Sequence, residues 1–270
     1  MWIKLRNATI VALVISPAIL LGDDFHTDMM RATIKLQHDK STATGFVLRQ
    51  TLPQDKRGTR TVLVTAAHVL ELTVGNETAL MYHVREAEGV YRKESTPLVI
   101  RKEGQPLWTR HPTEDIAAMV IVPPEKADLS EVSTNLLASD DLLRKYKVHP
   151  GQTVTCLGYP HRTEANAAGF AILRTGPIAS FPLVPATVNK TFLLSMNTFE
   201  GDSGGPVYLT SPSPGDEADD TRLIVGLMHG QHFLDEEMVM IYGTSKVRHR
   251  LGLGIVLQAA FIRETLERLP

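Results

Sequence analysis

Disulfide bonds within the chain are excluded, because its 270 residues include a single cysteine, Cys156. This cysteine lies in "VTCLGYP", with apolar residues on both sides, which favours a buried packing residue over a reactive thiol. A basic footprint for nucleic acid is also missing, since the formal net charge is -2 and no lysine- and arginine-rich run occurs. Stability must therefore come from a packed core, for which 43% hydrophobic residues are sufficient.

The N-terminal apolar run is too short to span a bilayer comfortably. It extends from Ala8 to Leu21 and follows the positive charges of Lys4 and Arg6. This pattern is typical of a secretory signal peptide, which we expect over residues 1–22. We therefore expect export to a bacterial periplasm or the medium, since a secreted chain without disulfides is more typical of bacteria than of animals. An uncleaved membrane anchor is the alternative.

Short β-type segments follow one another from about residue 28 onwards. Turn residues separate runs such as "ATGFVLRQ", "RTVLVTA", "QTVTCLGY" and "RLIVGLMHG", which indicates a sandwich or barrels. Helical spacing occurs in "SDDLLRKYK" and in the C-terminal "LQAAFIRETLERL". The acidic segment "SPSPGDEADD" is interpreted as a solvated hairpin tip.

Three glycines surround a serine in "GDSGGPV": Gly201, Gly204 and Gly205 flank Ser203. They allow a sharp turn, leave space for a substrate and let backbone N–H groups converge on one point, as an oxyanion hole requires. The segment also fits the G-x-S-x-G elbow of α/β-hydrolases. That interpretation is disfavoured, because a strand-like "PVYL" follows where a helix is needed.

A nucleophilic serine needs a base, and the base needs an orienting group. His68 follows the β-rich run in "VLVTAAHVL", and Asp115 stands at the head of "DIAAMVIV". In the order "TAAHVL", "DIA" and "GDSGGPV", these motifs resemble the chymotrypsin/trypsin-like serine peptidase superfamily, in particular its bacterial members without disulfides. The separations of 47 (115 − 68) and 88 (203 − 115) residues are of the usual size for that superfamily.

This resemblance implies an all-β fold of two six-stranded antiparallel β-barrels, with the active site in the cleft between them and a C-terminal α-helix. The peptidase domain would cover residues 23–270, with barrels at about 28–125 and 150–256 and the helix at about 257–269. The division falls in the segment from about Pro123 to Pro150.

The resemblance also implies the catalytic roles. Ser203 would attack the scissile carbonyl, His68 would transfer the proton to the leaving amine, and Asp115 would orient His68. The N–H groups of Gly201 and Ser203 would bind the oxyanion. The function implied is an exported serine endopeptidase that acts on protein or peptide substrates. It would need no cofactor or metal and bind no nucleic acid, and it would meet a membrane only through an uncleaved N-terminus.

The substrate pocket is implied in the same way. Asn197 and Thr198 would lie at its base, with His229 and Gly230 on the strand that lines the cleft. Because neither Asn197 nor Thr198 is charged, we expect small or medium uncharged side chains before the scissile bond. A threonine with a histidine resembles the glutamyl endopeptidases, so acidic specificity is the alternative. His229 stands one position later than their histidine, however, and a slip of one residue reverses the face of a strand.

Asp202 leaves one question open. Digestive members of the superfamily pair this carboxylate with a new N-terminal ammonium, but no "IVGG"-type start is present here. We expect another cation or a set of donors to hold Asp202, because a buried carboxylate needs partners. Otherwise the oxyanion hole is not always formed, and the chain would be a peptide-binding or chaperone-like protein that rarely cleaves. A serine esterase is a more distant alternative.

The remaining histidines carry no predicted chemistry. His229 and His232 are three residues apart, but no third ligand or metal motif accompanies them. His161 follows a strand and is interpreted as a surface residue of a loop.

Overall fold

The computed structural model of the chain describes residues 24–39, 41–52, 58–211 and 221–270. Within these ranges most residues of regular structure are in strands, and none of the helices has the length and apolar character needed to cross a bilayer. The predicted signal peptide at residues 1–22 lies outside the described residues, as do residues 212–220 of the predicted acidic hairpin tip.

Nine strands belong to the N-terminal half: β1 Thr33–His38, β2 Ser41–Thr51, β3 Thr59–Thr65, β4 Glu77–Ala87, β5 Val90–Val99, β6 Arg101–Lys102, β7 Gln105–Pro106, β8 Thr109–Arg110 and β9 Ala117–Ile121. Seven of them form one antiparallel sheet in the spatial order β5-β4-β1-β2-β3-β9-β8, and β6 pairs with β7 in a separate ribbon.

Six strands form the second antiparallel sheet: β10 Thr153–Gly158, β11 Ile172–Pro177, β12 Thr191–Ser195, β13 Pro206–Ser211, β14 Thr221–Met240 and β15 Gly243–Gln258. Their spatial order is β11-β10-β13-β14-β15-β12. Beyond Phe233 and Arg250, β14 and β15 pair only with each other among the described residues and form a long hairpin arm.

The helices are short: α1 Phe25–Ala32, α2 Ala67–Glu71, α3 Asp140–Lys145 and α4 Ala259–Glu267, with 3-10 turns at Thr134–Leu136 and Pro160–Arg162. The side chain of Asp24 caps α1 and that of Ser139 caps α3. Helix α2 has no side-chain cap of its own, so a group from another segment must satisfy its first N–H groups.

Strand β2 shows how the two halves share a core. Successive side chains of a strand point to opposite faces. Phe46 and Leu48 therefore pack in a cluster that also contains Leu157 and Tyr208 of the second sheet. Val47, on the other face, packs in a separate cluster within the first sheet. The two sheets are thus joined by a continuous apolar interface.

The predicted all-β fold of two barrels with a C-terminal helix is confirmed. The first sheet has seven strands rather than six because the two-residue strand β8 joins β9. The first barrel begins later than expected, since residues 28–32 belong to α1. Sequence patterns also failed to indicate β4, β5 and β15 as strands.

Candidate active site

A cleft of about 600 Å³ opens at Ser203. Residues of β1, β2 and α2 line one side of it. The other side is formed by loops of the second sheet, and the cleft brings together His68, His161, Arg162, Glu200, Gly201 and Ser203.

His68 is held at the start of α2 by Asp115. The backbone N–H of His68 donates to Asp115 Oδ1 at 2.8 Å, and the N–H of Ala67 donates to the Asp115 carbonyl at 3.3 Å. Asp115, two residues before β9, therefore supplies the acceptors that α2 lacks. The same contacts fix the distance between the His68 ring and the Asp115 carboxylate.

The Asp115 carboxylate accepts from two imidazoles. His68 Nδ1 lies 2.5 Å from Asp115 Oδ2, and His229 Nδ1 lies 2.9 Å from the same oxygen. Burial alone would raise the pKa of Asp115, but hydrogen bonds from His229 and His68 outweigh burial and lower that pKa well below its usual range. An ionised carboxylate only accepts, so both rings carry a proton on Nδ1. In the neutral tautomer, His68 then keeps Nε2 available as a base.

The loop around Ser203 requires its glycines. Gly204 has a φ of +83°, and a Cβ there would lie 2.2 Å from the Thr44 carbonyl oxygen. Thr44 of β2 holds the loop by two hydrogen bonds, from its N–H to the Ser203 carbonyl at 3.0 Å and from its hydroxyl to the Gly201 carbonyl at 2.6 Å. The first sheet thus fixes a loop that belongs to the second.

The N–H groups of Gly201 and Ser203 are among those of this loop that have no protein acceptor within the described residues. The N–H between them, from Asp202, donates to the Phe199 carbonyl at 3.1 Å. Because Gly201 and Ser203 both line the cleft, their free donors are available to an atom bound there.

His68 and Ser203 line the same cleft. The side-chain and backbone N–H bonds of His68 go to Asp115, and within the described residues the ring makes no hydrogen bond to the Ser203 hydroxyl. Catalytic bonds of this kind are often long without substrate and shorten in the reacting complex. The arrangement therefore supplies a base and a hydroxyl in one cleft with an oriented imidazole.

The partner of Asp202 is Arg174 of β11. Asp202 is 1% exposed, and Arg174 Nη2 lies 2.6 Å from its Oδ1. The Phe199 N–H donates to Oδ2 at 2.7 Å. Burial raises the pKa of Asp202, and the Arg174 charge opposes that rise. The cationic partner of Asp202, which the sequence did not identify, is thus Arg174 of strand β11.

The sequence matches the Trypsin-like peptidase domain family over residues 43–211, more than half of the chain. The chain belongs to this family. The matched region contains His68, Asp115 and Ser203, the three residues that the motifs singled out.

Comparisons with solved structures and with curated proteins give less information about this peptidase domain than the family match does. One similar solved structure is a serine-to-alanine mutant of Rv3671c from M. tuberculosis H37Rv in an inactive form. The aligned region covers 94% of this chain and 93% of that chain, with 17% sequence identity and a TM-score of 0.47. No curated protein matches the sequence significantly.

The peptidase domain brings two of the predicted pocket residues into contact. Thr198 is 2% exposed, and its hydroxyl donates to the Gly230 carbonyl at 3.4 Å. A Cβ at Gly254 would lie 2.9 Å from Thr198 Cγ2. Asn197 is exposed. Little space remains around Thr198 for a long side chain.

His229 lies on β14, a strand of the second sheet, as predicted. Its ring Nδ1 lies 2.9 Å from Asp115 Oδ2. The pairing of β14 with β15 shifts register between Met228 and Gly230, which is where a slip of one residue changes the face of a side chain. The hydrogen bond to Asp115 uses Nδ1 of His229, and the acidic specificity that the glutamyl endopeptidases imply stays a prediction.

His68, Asp115 and His229 could also hold a metal ion, because their ligand atoms all lie within 4.8 Å of one another. The two nitrogens lie 2.5 and 2.9 Å from Asp115 Oδ2. Ligands of a tetrahedral zinc at bond lengths of about 2.0–2.2 Å are about 3.3 Å apart. A metal would have to displace both Nδ1 protons and spread these atoms, so the geometry favours two hydrogen bonds over metal binding.

The sequence motifs did not indicate two residues that contribute to the site, Arg174 and His161. His161 is exposed as predicted, but its backbone N–H donates to the Glu200 carbonyl at 2.7 Å, next to Gly201. A backbone contact leaves no signal in the residue type. The one available signal for Arg174 was a charged residue within a β-type run.

Proposed function

We propose that this peptidase domain is a serine endopeptidase that hydrolyses peptide bonds through an acyl-enzyme intermediate. One observation carries the proposal: the Asp115 carboxylate lies 2.5 Å from His68 Nδ1, in the cleft that Ser203 also lines. This arrangement fixes the tautomer in which His68 Nε2 can take a proton from Ser203.

The residues divide the reaction into two steps. Ser203 Oγ attacks the scissile carbonyl while His68 Nε2 takes its proton, and the N–H groups of Gly201 and Ser203 bind the carbonyl oxygen as it becomes negative. His68 then gives the proton to the leaving amine as the C–N bond breaks. Water, deprotonated by His68, attacks the acyl ester, which releases the carboxylic acid and restores Ser203.

We infer a preference for small uncharged side chains before the scissile bond. The Thr198 hydroxyl lies 3.4 Å from the Gly230 carbonyl, and no charged group stands at Asn197 or Thr198 to select lysine or arginine. Export is part of the proposal and is supported by the charged N-terminus and the apolar run that follows it.

The alternative of a binding protein that rarely cleaves was based on an unknown partner for Asp202. Arg174 supplies that partner, so the main support for this alternative is lost. The missing hydrogen bond between His68 and Ser203 is the observation that still favours it, and a probe of serine reactivity separates the two functions.

A fluorescent fluorophosphonate tests the proposal, because it reacts with a serine only when the base and the oxyanion donors are in place. We expect covalent labelling of the chain from about Asp23 onwards and loss of labelling in Ser203→Ala. Ser95→Ala, on the exposed surface of β5, is the matched control and should label like the parent.

Peptide-library cleavage and hydrolysis of a simple ester follow for the labelled protein. Cleavage after small residues supports the peptidase, whereas ester hydrolysis without peptide cleavage favours an esterase. A folded parent chain that does not label would contradict the proposed function.

A further inference from the structure

The segment between β10 and β11, residues 159–171, packs against the loop that carries Gly201; we call it the bridging loop. The backbone N–H of His161 donates to the Glu200 carbonyl at 2.7 Å. A Cβ on Gly201 would lie 2.1 Å from the Tyr159 carbonyl oxygen, so the two backbones are in direct contact. The bridging loop therefore limits how the Glu200–Gly201 peptide can turn.

The orientation of that peptide determines the oxyanion donor. In a trans peptide the carbonyl and the following N–H point in opposite directions, and Glu200–Gly201 is not among the cis bonds of the described residues. The bond from His161 holds the Glu200 carbonyl toward the bridging loop. The Gly201 N–H consequently points the other way, free of any acceptor in the described part of the chain.

The bridging loop holds this position in an unfavourable conformation. His161 and Arg162 have φ values of +46° and +67°, a region that residues with a Cβ rarely adopt. Such backbone persists only when surrounding contacts hold it. Those contacts come from the first sheet.

Polar contacts form the first tie. Lys35 of β1, which is 5% exposed, donates to the Arg162 carbonyl at 3.1 Å and pairs with Glu164 at 2.7 Å. Lys93 of β5 pairs with the other oxygen of Glu164 at 2.6 Å. Glu164 therefore joins the bridging loop to two strands of the first sheet.

Ring contacts form the second tie, at the other end of the loop. Phe170 stacks on His83 of β4 with ring centroids 3.8 Å apart and planes 4° from parallel. His83 is 1% exposed, and its Nε2 lies 3.1 Å from the Gly169 carbonyl. The rings of Tyr91 of β5 and Phe170 form a T-shaped contact with centroids 5.2 Å apart. These contacts hold the part of the loop next to β11, whereas those of Lys35 and Glu164 hold the part next to His161.

We propose that Glu164 and Phe170 are positioning residues: by anchoring the bridging loop to the first sheet, they hold the His161 N–H on the Glu200 carbonyl and keep the Gly201 N–H directed into the oxyanion hole without proteolytic activation. The inference rests on the proposed peptidase function. Neither residue touches the reacting atoms. Their effect passes through one peptide plane, so it should appear in the rate of the chemical step and not in substrate binding.

The test combines kinetics with amide hydrogen exchange in Glu164→Gln and Phe170→Ala. Losing one oxyanion donor completely lowers kcat by about 10²–10³-fold; a loop that keeps the donor in place in about one molecule in ten lowers kcat about tenfold. We expect that loss in kcat and in the rate of fluorophosphonate labelling, with KM nearly unchanged. Hydrogen exchange should speed up in the peptide that covers residues 199–205.

The controls separate anchoring from general destabilisation. Glu86→Gln removes an exposed pair with Arg92 on the same β4–β5 hairpin and should match the parent in both measurements. Phe170→Tyr keeps the stacked ring and should retain most of the activity. Equal kcat and equal exchange in Glu164→Gln and Glu86→Gln would overturn the inference and leave the peptidase intact. A parent that never labels would refute the peptidase, and the exchange measurement would still decide whether Glu164 is coupled to the oxyanion loop.

Discussion

Asp115 Oδ2 accepts a hydrogen bond from each of two imidazoles, so His229 can influence the proposed reaction through Asp115. The bonds measure 2.5 Å from His68 and 2.9 Å from His229. The backbone N–H and the ring of His68 already hold the two oxygens of the carboxylate against rotation about its Cβ–Cγ bond. The His229 ring adds a third donor and strengthens that restraint, so it helps to preserve the alignment of Asp115 with the His68 ring.

We expect His229→Ala to lower kcat with little change in KM. A hydrogen bond to a charged group contributes about 1.5–3 kcal/mol, which corresponds to about tenfold or more in rate. His229→Asn retains an N–H donor and should recover part of the loss. Steady-state kinetics check this, with His232→Ala as the matched control because His232 is an exposed histidine three residues further along β14. Equal kcat in the two alanine variants would contradict the prediction.

Arg174 has a structural role that can be measured by unfolding. Its side chain is 18% exposed and pairs with an Asp202 that is 1% exposed. Breaking a buried pair leaves an uncompensated charge, so Arg174→Met should lower the free energy of unfolding by about 3–5 kcal/mol. Adding Asp202→Asn removes that charge and should restore part of the loss. Urea denaturation of the single and double variants measures both effects.

Arg144→Met provides the comparison, since Arg144 pairs on the surface with an Asp141 that is 95% exposed. Exposed pairs contribute about 0–1 kcal/mol. If Arg174→Met cost no more than Arg144→Met, the buried pair would not be needed for stability.

At the residue scale, the sequence predicts the parts of the site whose chemistry demands a residue type. Ser203 needs glycines beside it, and His68 and Asp115 stand in short motifs. The partners of these residues have no such constraint. Several side chains can donate to Asp115 or neutralise Asp202, and only the register of β14 and the position of β11 determine that His229 and Arg174 do so.

At the element scale, predictability follows composition. Strand β4, "ETALMYHVREA", is rich in residues that favour helices and has few β-branched ones, so its strand character depends on pairing with β1 and β5. A second segment, "EMVMIYG", forms the end of β14 and the turn to β15. Its apolar side chains have no core to pack against, because the segment forms the exposed end of the β14–β15 arm, where Ile241 is 92% exposed. Cross-strand pairs such as Asp235 with Arg248 at 2.6 Å support the arm without a core.

At the scale of the whole molecule, ionisable groups at the junction of the two barrels link stability to pH. Burial tends to raise the pKa of Glu164 and Glu114, but hydrogen bonds from Lys35 and Lys93 to the first, and from Lys190 and Thr113 to the second, give a net lowering. The pKa of Asp115 is lowered in the same sense. Asp202 has the opposite shift, because its burial dominates.

The signs of these shifts predict loss of stability in acid. A carboxyl group with a folded pKa below its unfolded value, about 3.9 for Asp and 4.3 for Glu, binds fewer protons in the folded state. Its contribution to stability is complete above the unfolded pKa and disappears as the pH falls through the folded pKa. Asp202 contributes in the reverse direction, since a raised pKa stabilises the fold at low pH and less as the pH rises.

Three carboxyl groups with a lowered pKa oppose one with a raised pKa, so we expect the free energy of unfolding in urea to fall between about pH 5 and pH 3. Asp115→Asn removes one lowered group and should flatten that slope, whatever its effect at neutral pH. Identical slopes in the parent and in Asp115→Asn would show that the two histidines do not hold Asp115 ionised.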